Sequence, residues 1–257
     1  MSSAASNTSC ALILAGNRPG GDPFAQEQGV AHKGLIEVVG SAILSRVCEA
    51  LRGAGIARIV VATNCPEISA LAAAEGAEVM PAESGPSASV GAALARYGAP
   101  MVVTTADHAL LQAGWVADFL QDTPEDADVS ILLARREVVE RAVPQTKRTW
   151  IRLADGQWSG CNLFFLKTAR ASRAIALWSE VEANRKRPLR MASRLGWGTL
   201  LRFVLGRLTL QAMVSRLAGR VGIDARVVAA RDGRAAIDVD KAADFALVRE
   251  LLAKRET

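Results

Sequence analysis

Apolar and polar positions along the chain follow two rhythms. Short apolar runs at residues 11–15, 58–62, 78–80, 101–105 and 129–133 are bounded by glycine or polar residues, as buried strands are. Between them the apolar positions take helical spacing. Ile43, Leu44, Val47 and Leu51 predict a helix over residues 43–52 that stops near Gly53. Helices are likewise expected over residues 66–75 and 87–96 and after Gly114, and residues 34–39 read as a short extended piece. Strands alternating with helices imply βαβ units. The expected fold is therefore α/β: a Rossmann-like, mostly parallel sheet with helices on both faces.

The second half is less regular. Residues 150–153, the Asp155-Gly156 turn and residues 161–166 predict a small antiparallel insertion. Residues 169–218 are largely helical in pattern. Residues 227–230 and 236–239 read as late strands, and residues 243–254 as a closing helix. No repeat or low-complexity linker interrupts the chain. One domain over residues 1–257 is expected, with an extra helical, basic insertion at about 169–226.

Composition narrows the class. Half of the 257 residues are apolar and 22% are charged, which excludes disorder. Charged residues break every long apolar run, so no membrane span is predicted. Residues 1–10 lack a basic region followed by an apolar one, so a cytoplasmic location is expected. Cys10, Cys48, Cys65 and Cys161 form no C-x-x-C pair and read as reduced, buried thiols.

The net charge of +5 is unevenly spread. Residues 185–220 hold nine cations and no acid, so the remainder of the chain is net acidic. Within that segment Trp197, Leu200, Leu201, Val204, Leu205 and Leu208 recur at helical spacing around Arg202 and Arg207. The ordinary reading is a helix whose stripe packs on the core and whose basic face meets water. The alternatives are an element lying on an anionic membrane surface and a site for an anionic substrate or partner. Nucleic acid is disfavoured as a partner, because only 5% of residues are aromatic and no nucleic-acid module is recognisable.

Three places carry candidate chemistry. Leu14-Ala15-Gly16-Asn17 is a strand running into a glycine-rich turn, where backbone N–H groups can hold phosphate, with Arg18 and Lys33 as fixed cations. Asp107 ends the run Thr104-Thr-Ala-Asp107, at the strand edge where α/β sheets gather ligands, although a lone aspartate there often caps a helix. Asp238 and Asp240 stand at a later strand end, where Asp240 could equally cap the last helix.

In this order the motifs resemble the nucleotidyltransferases related to molybdenum-cofactor guanylyltransferase and the sugar- and alditol-phosphate nucleotidyltransferases. The likeness lies in Leu14-Ala-Gly16-Asn-Arg18, Lys33-Gly-Leu-Ile-Glu-Val-Val-Gly40, Gly85-Pro-Ser-Ala-Ser89-Val, Asp107, Gly160-Cys-Asn162 and Asp238-Val-Asp-Lys-Ala-Ala-Asp-Phe245. Asn17 stands where that family has a second glycine, and His32 where it has proline.

The resemblance implies transfer of a nucleoside monophosphate from an NTP to a small phosphorylated acceptor, a sugar, polyol or lipid-headgroup phosphate, with release of pyrophosphate. It assigns catalysis to Lys33, Arg18 and Asp107, and nucleotide binding to Leu14, Ala15, Gly16, Asn17, Arg18, Lys33, Gly85, Pro86 and Ser89. The acceptor falls to Gly160 and Asn162, and Mg²⁺ to Asp107 with Asp240 or Asp238. His108 is expected as a hydrogen-bond partner beside the metal acid. The helix start Ser87-Ala-Ser89-Val resembles that of cytidylyltransferases and leans slightly toward CTP, whereas Gly85-Pro86 also resembles the turn of guanylyltransferases. Two other readings stay open: a membrane-peripheral binding or regulatory protein that keeps the fold without activity, and a metal-dependent glycosyltransferase. The sequence specifies neither the acceptor nor the oligomeric state.

Overall fold

The structure, a computed structural model, describes residues 10–17, 20–146, 148–184 and 197–254. In chain order its elements are β1 (Cys10–Leu14), α1 (Pro23–Glu27), β2 (Glu37–Val38), β3 (Ser41–Ala42), α2 (Ile43–Gly53), β4 (Arg58–Ala62), α3 (Pro66–Ala74), β5 (Glu78–Met80), α4 (Pro86–Tyr97) and β6 (Met101–Thr105). There follow α5 (Ala113–Asp122), β7 (Val129–Arg135), α6 (Arg136–Ala142), β8 (Ile151–Leu153), β9 (Gly156–Leu166), α7 (Ser172–Asn184), α8 (Trp197–Val204), α9 (Leu210–Gly219), β10 (Ala225–Ala229) and α10 (Ala242–Ala253).

The main sheet runs β10-β7-β9-β6-β1-β4-β5, and β8 pairs with β9. Along this path every strand points the same way except β9, which is antiparallel to both β6 and β7. The mostly parallel α/β fold is as expected. Both faces are covered, which explains the unbroken apolar runs. Ala11, Ile13, Val61 and Val102 face one core with Leu44, Phe119 and Val248; Leu12, Val60 and Val103 face the other with Val90 and Ala93.

The structure departs from the sequence pattern in five places. Residues 34–39 are a 3-10 turn, Lys33–Leu35, followed by the two-residue strand β2 of a separate ribbon with β3. Residues 136–142, unassigned from sequence, form α6. The expected hairpin exists, but its long arm is no appendage: β9 threads between β6 and β7, and Phe164, Phe165 and Leu166 pair with both neighbours. Residues 236–239 are not a strand; a 3-10 turn, Gly233–Ala236, leads into an extended segment held by Val239 N–H bonded to the Asp107 carbonyl (3.1 Å).

The fifth departure is the apolar stripe near residue 200. Leu208 is buried, but Leu201, Phe203, Val204 and Leu205 are 52–72% exposed. Of the stripe side chains the structure describes, only Leu208 packs on the core as the ordinary reading expected. The cations of residues 185–194 lie outside the described residues.

Candidate active site

Parallel strands deliver their following loops to one edge of the sheet, and the candidate residues gather there. β1 and β6 are neighbours in register, Leu14 beside Thr105, so the turn at Gly16 and the loop carrying Asp107 leave the sheet side by side. The N–H of Ala106 bonds the Leu14 carbonyl (3.0 Å), extending the pairing past the strand end.

Lys33 sits at the centre. His32 opens the 3-10 turn as its cap: its Nδ1 accepts from the Gly34 N–H (2.9 Å). That acceptor role requires an unprotonated nitrogen, and burial lowers the His32 pKa in agreement. The Lys33 ammonium then donates to Asp107 Oδ2 (2.9 Å) and Asp240 Oδ1 (2.6 Å), with Asp22 at 3.8 Å. Burial alone would lower the Lys33 pKa; Asp107 and Asp240 outweigh it and raise it, so the site carries a permanent cation. Asp107 is held on its other side by Thr105 Oγ1, which donates to Oδ1 (2.6 Å).

These contacts decide the two capping alternatives. The helix after Asp107 starts at Ala113 behind Gln112, so Asp107 caps nothing. The last helix is preceded by Lys241, while Asp244 reaches back to the Asp240 N–H (3.3 Å), so the Asp240 carboxylate is left for Lys33.

Asp238 belongs to a neighbouring cluster. It is nearly buried, accepts from Asn162 Nδ2 (2.9 Å) and pairs with Arg148. Asn162 has a left-handed backbone (φ +49°) and lies where the β7–β9 register shifts, so a bulge aims its amide at Asp238. Gly160 is exposed on the same strand. The two late acids therefore have different partners: Asp240 joins Asp107 and Lys33, and Asp238 joins Asn162 and Arg148.

On the other flank, the turn before α4 is pinned against the glycine loop. Asn64 bridges Ala82, donating to its carbonyl (2.8 Å) and accepting from its N–H (3.1 Å). A Cβ on Gly16 would meet the Ala82 methyl at 3.2 Å, which shows how closely the two segments approach. Gly85 precedes α4 and Pro86 occupies its first turn. Ser89 is buried, accepting from the Glu83 N–H (2.9 Å) and donating to the Gly85 carbonyl (3.1 Å). Its hydroxyl shapes the turn and is not open to a nucleobase. Gly16 and Asn17 are exposed, and Asn17 Nδ2 donates to the Ala31 carbonyl (3.2 Å). Arg18 lies outside the described residues.

His108 departs from expectation. It is buried, it makes no side-chain hydrogen bond to Asp107, and burial lowers its pKa despite Asp238, Asp107 and the Ala235 backbone nearby. All four cysteines are buried and unpaired, as expected, and burial pushes Cys161 up to about 12. Thiolate chemistry at neutral pH is therefore suppressed.

Sequence reasoning missed Asp22, Asn64 and Arg148. Asp22 had a signal: Asp-Pro before a short helix is an N-cap pattern, and its Oδ1 accepts from the Phe24 and Ala25 N–H groups. Asn64 and Arg148 had none.

Mg²⁺ prefers hard oxygens and is usually held by one or two carboxylates plus substrate phosphates and water. Asp107 and Asp240 fit that pattern, since both already converge on a cation, the Lys33 ammonium. Among the described residues no group of three or more His, Cys, Asp or Glu forms an all-protein cage.

Comparison with known proteins agrees with this fold. Residues 11–194 match the family model described as the MobA-like NTP transferase domain. A solved hypothetical transferase from Thermus thermophilus is similar with 31% identity and a TM-score of 0.80, over 93% of this chain and 99% of that one. Two more distant structures share the fold. CMP:2-keto-3-deoxy-manno-octonic acid synthetase complexed with CTP has 18% identity and a TM-score of 0.59, over 97% of this chain and 100% of that one. A nucleotidyl transferase from Methanothermobacter has 17% identity and a TM-score of 0.60, over 97% and 99%. No curated protein matches the sequence as a relative. With that match spanning more than half of its length, the chain belongs to the MobA-like NTP transferase domain family and is a nucleotidyltransferase.

Proposed function

We propose that this enzyme transfers a nucleoside monophosphate, from CTP in preference to other NTPs, to a small phosphorylated acceptor. The observation that carries the reading is one ammonium, Lys33, bridging two carboxylates, Asp107 and Asp240, beside a glycine turn. An acceptor phosphate oxygen attacks the α-phosphorus, the bond from that phosphorus to the bridging oxygen breaks, and pyrophosphate leaves with the electron pair. The acceptor is ionised at neutral pH, so no general base is required. Such chemistry depends on in-line placement and on cancelling charge.

The residues divide that work. Leu14, Ala15, Gly16 and Asn17 offer backbone along the triphosphate, and Gly85 and Pro86 close the opposite side around the base. Lys33 and Arg18 offset the charge growing on the departing pyrophosphate. Asp107 and Asp240 would hold Mg²⁺, which would supply positive charge against the α-phosphate. Asn162 and Gly160 face the acceptor, and Asp238 with Arg148 fixes the Asn162 amide. The CTP preference rests on the likeness of Ser87-Ala-Ser89-Val to cytidylyltransferase helix starts, with Ser89 acting through the shape of the turn.

The test is pyrophosphate release from each of four NTPs across a panel of phosphorylated sugars and polyols. Mg²⁺-dependent release with CTP ahead is expected. Tighter competition by GTP or UTP would overturn the base assignment, and nucleotide-sugar hydrolysis without pyrophosphate would favour a glycosyltransferase.

A further inference from the structure

α8 and the loop after it carry an apolar row that is exposed among the described residues. Leu201, Phe203, Val204 and Leu205 are each more than half exposed, with Val204 at 72%. The helix ends at Val204, the turn after it passes through Gly206, whose φ of +63° permits the reversal, and the Arg207 N–H closes it on the Arg202 carbonyl (2.7 Å). The reversal puts Phe203, Val204 and Leu205 at a tip, with exposed Arg202 and Arg207 beside them.

The tip is anchored. Arg216 of α9 donates to the buried Thr199 hydroxyl (2.8 Å), Leu208 is buried, and its carbonyl accepts from the Ala154 N–H (2.9 Å). The Leu210 N–H bonds Asp155 (3.0 Å). Ala154 and Asp155 form the turn of the β8–β9 hairpin, which continues from the carboxyl end of β7, where Arg135 pairs with Trp158. The apolar tip thus sits at the same edge of the sheet as Lys33, Asp107 and Asn162.

We propose that this tip is a docking element for an anionic lipid bilayer. The charge pattern selects the occupant: over residues 197–220, all described, the chain holds four arginines and no acid, and Arg202 and Arg207 are exposed beside the tip. A second copy of the chain seated tip to tip would oppose Arg202 and Arg207 with its own. A nucleic acid would match the cations but leave the apolar tip in water. A bilayer with anionic headgroups satisfies both features, because the side chains enter the acyl boundary while the arginines stay among phosphates. Among the described residues no helix is long and apolar enough to cross a membrane, so the contact is peripheral. The proposal concerns binding alone and stands or falls without the nucleotidyl-transfer reading.

The experiment is vesicle co-sedimentation of the full chain without nucleotide, using phosphatidylcholine vesicles with or without about one-third phosphatidylglycerol. The protein is expected to sediment with the anionic vesicles at low salt, to be released at high salt, and to ignore neutral ones. Replacing Phe203 and Val204 together by serine should weaken binding at least about tenfold. Each of Arg202→Gln and Arg207→Gln should weaken it about fivefold. All these side chains are exposed, so thermal melts should match the parent protein. No sedimentation at low salt overturns the proposal, as does undiminished binding by the Phe203→Ser, Val204→Ser variant. A dimer in sedimentation velocity that this variant abolishes, without vesicle binding, assigns the tip to a second copy instead.

Discussion

Replacing Lys33 by methionine keeps most of the side chain's apolar length and removes only the charge that ties the site together. The side chains of Lys33 and Asp107 are 11% and 18% exposed and meet at 2.9 Å, whereas the Asp240 carboxylate is 61% exposed. A hydrogen bond to a charged group contributes about 1.5–3 kcal/mol when shielded, and an exposed ion pair about 0–1 kcal/mol. Most of the stabilisation therefore sits on the Lys33–Asp107 contact, and the variant should lose about 2 kcal/mol of unfolding free energy. Because the folded-state pKa of Lys33 is raised, this contribution is complete below the ordinary lysine value near 10.4 and fades only as pH climbs above it. Adding Asp107→Asn should cost less than the sum of the two single changes, since the carboxylate stranded by the first is removed by the second. In the proposed function the same charge pairs with the triphosphate, so the single variant should also weaken CTP binding, measured calorimetrically with Mg²⁺, by roughly 10- to 150-fold. Urea unfolding of the two single variants and the double variant supplies the cycle. Additivity within about 0.5 kcal/mol, together with unchanged nucleotide affinity, would refute the central role given to this ammonium.

Asp107→Asn should abolish pyrophosphate release while the melting temperature stays within a few degrees, because the amide oxygen can still accept from Lys33; near-normal turnover with Mg²⁺ present would remove Asp107 from the metal site. Gly233→Ala should destabilise the fold by at least about 1–3 kcal/mol, since a Cβ there overlaps the Val138 carbonyl and the Val139 backbone of α6, which have no flexible end to yield; an unchanged urea midpoint would contradict that packing. Burial lowers the pKa of both His32 and His108, so the unfolded chain takes up protons first and stability should fall as pH drops below about 6.5. His32→Asn keeps an acceptor for the Gly34 N–H and should flatten part of that fall; equal slopes for both proteins between about pH 7.5 and 5.5 would show that His32 carries none of it.

The sheet was legible because buried parallel strands leave unbroken apolar runs. β4, β5 and β6 coincide with the runs at residues 58–62, 78–80 and 101–105. The place of β9 was not. Its apolar run is the same in an appended hairpin as in the middle of a sheet, and only the pairing partners, β6 and β7, distinguish the two. The stripe of α8 failed for a related reason. Helical spacing of leucines reports that one face is apolar, and the choice between core and another surface is made by elements far away in sequence.

The site was legible as a set of parts and not as an assembly. Lys33 meets partners 74 and 207 residues away, separations that no local pattern encodes. The two late acids show how the assembly sorts similar residues. In a strand, Asp238 and Asp240 would share a face and one environment. The 3-10 turn at Gly233–Ala236 and the Val239–Asp107 backbone bond replace the strand with an irregular segment, and the two carboxylates part. Asp238 goes inward to Arg148 and Asn162, where a bulge has already aimed the amide, and Asp240 stays at the mouth with Lys33. A charge fixed by a half-buried arginine suits a structural hold, whereas a carboxylate bound to a lysine at a solvent-facing edge can exchange that partner for a divalent ion. The same Asp-Val-Asp pattern thus yields one anchor and one carboxylate at the solvent-facing edge beside Lys33, and the difference lies in which backbone hydrogen bonds the intervening valine makes.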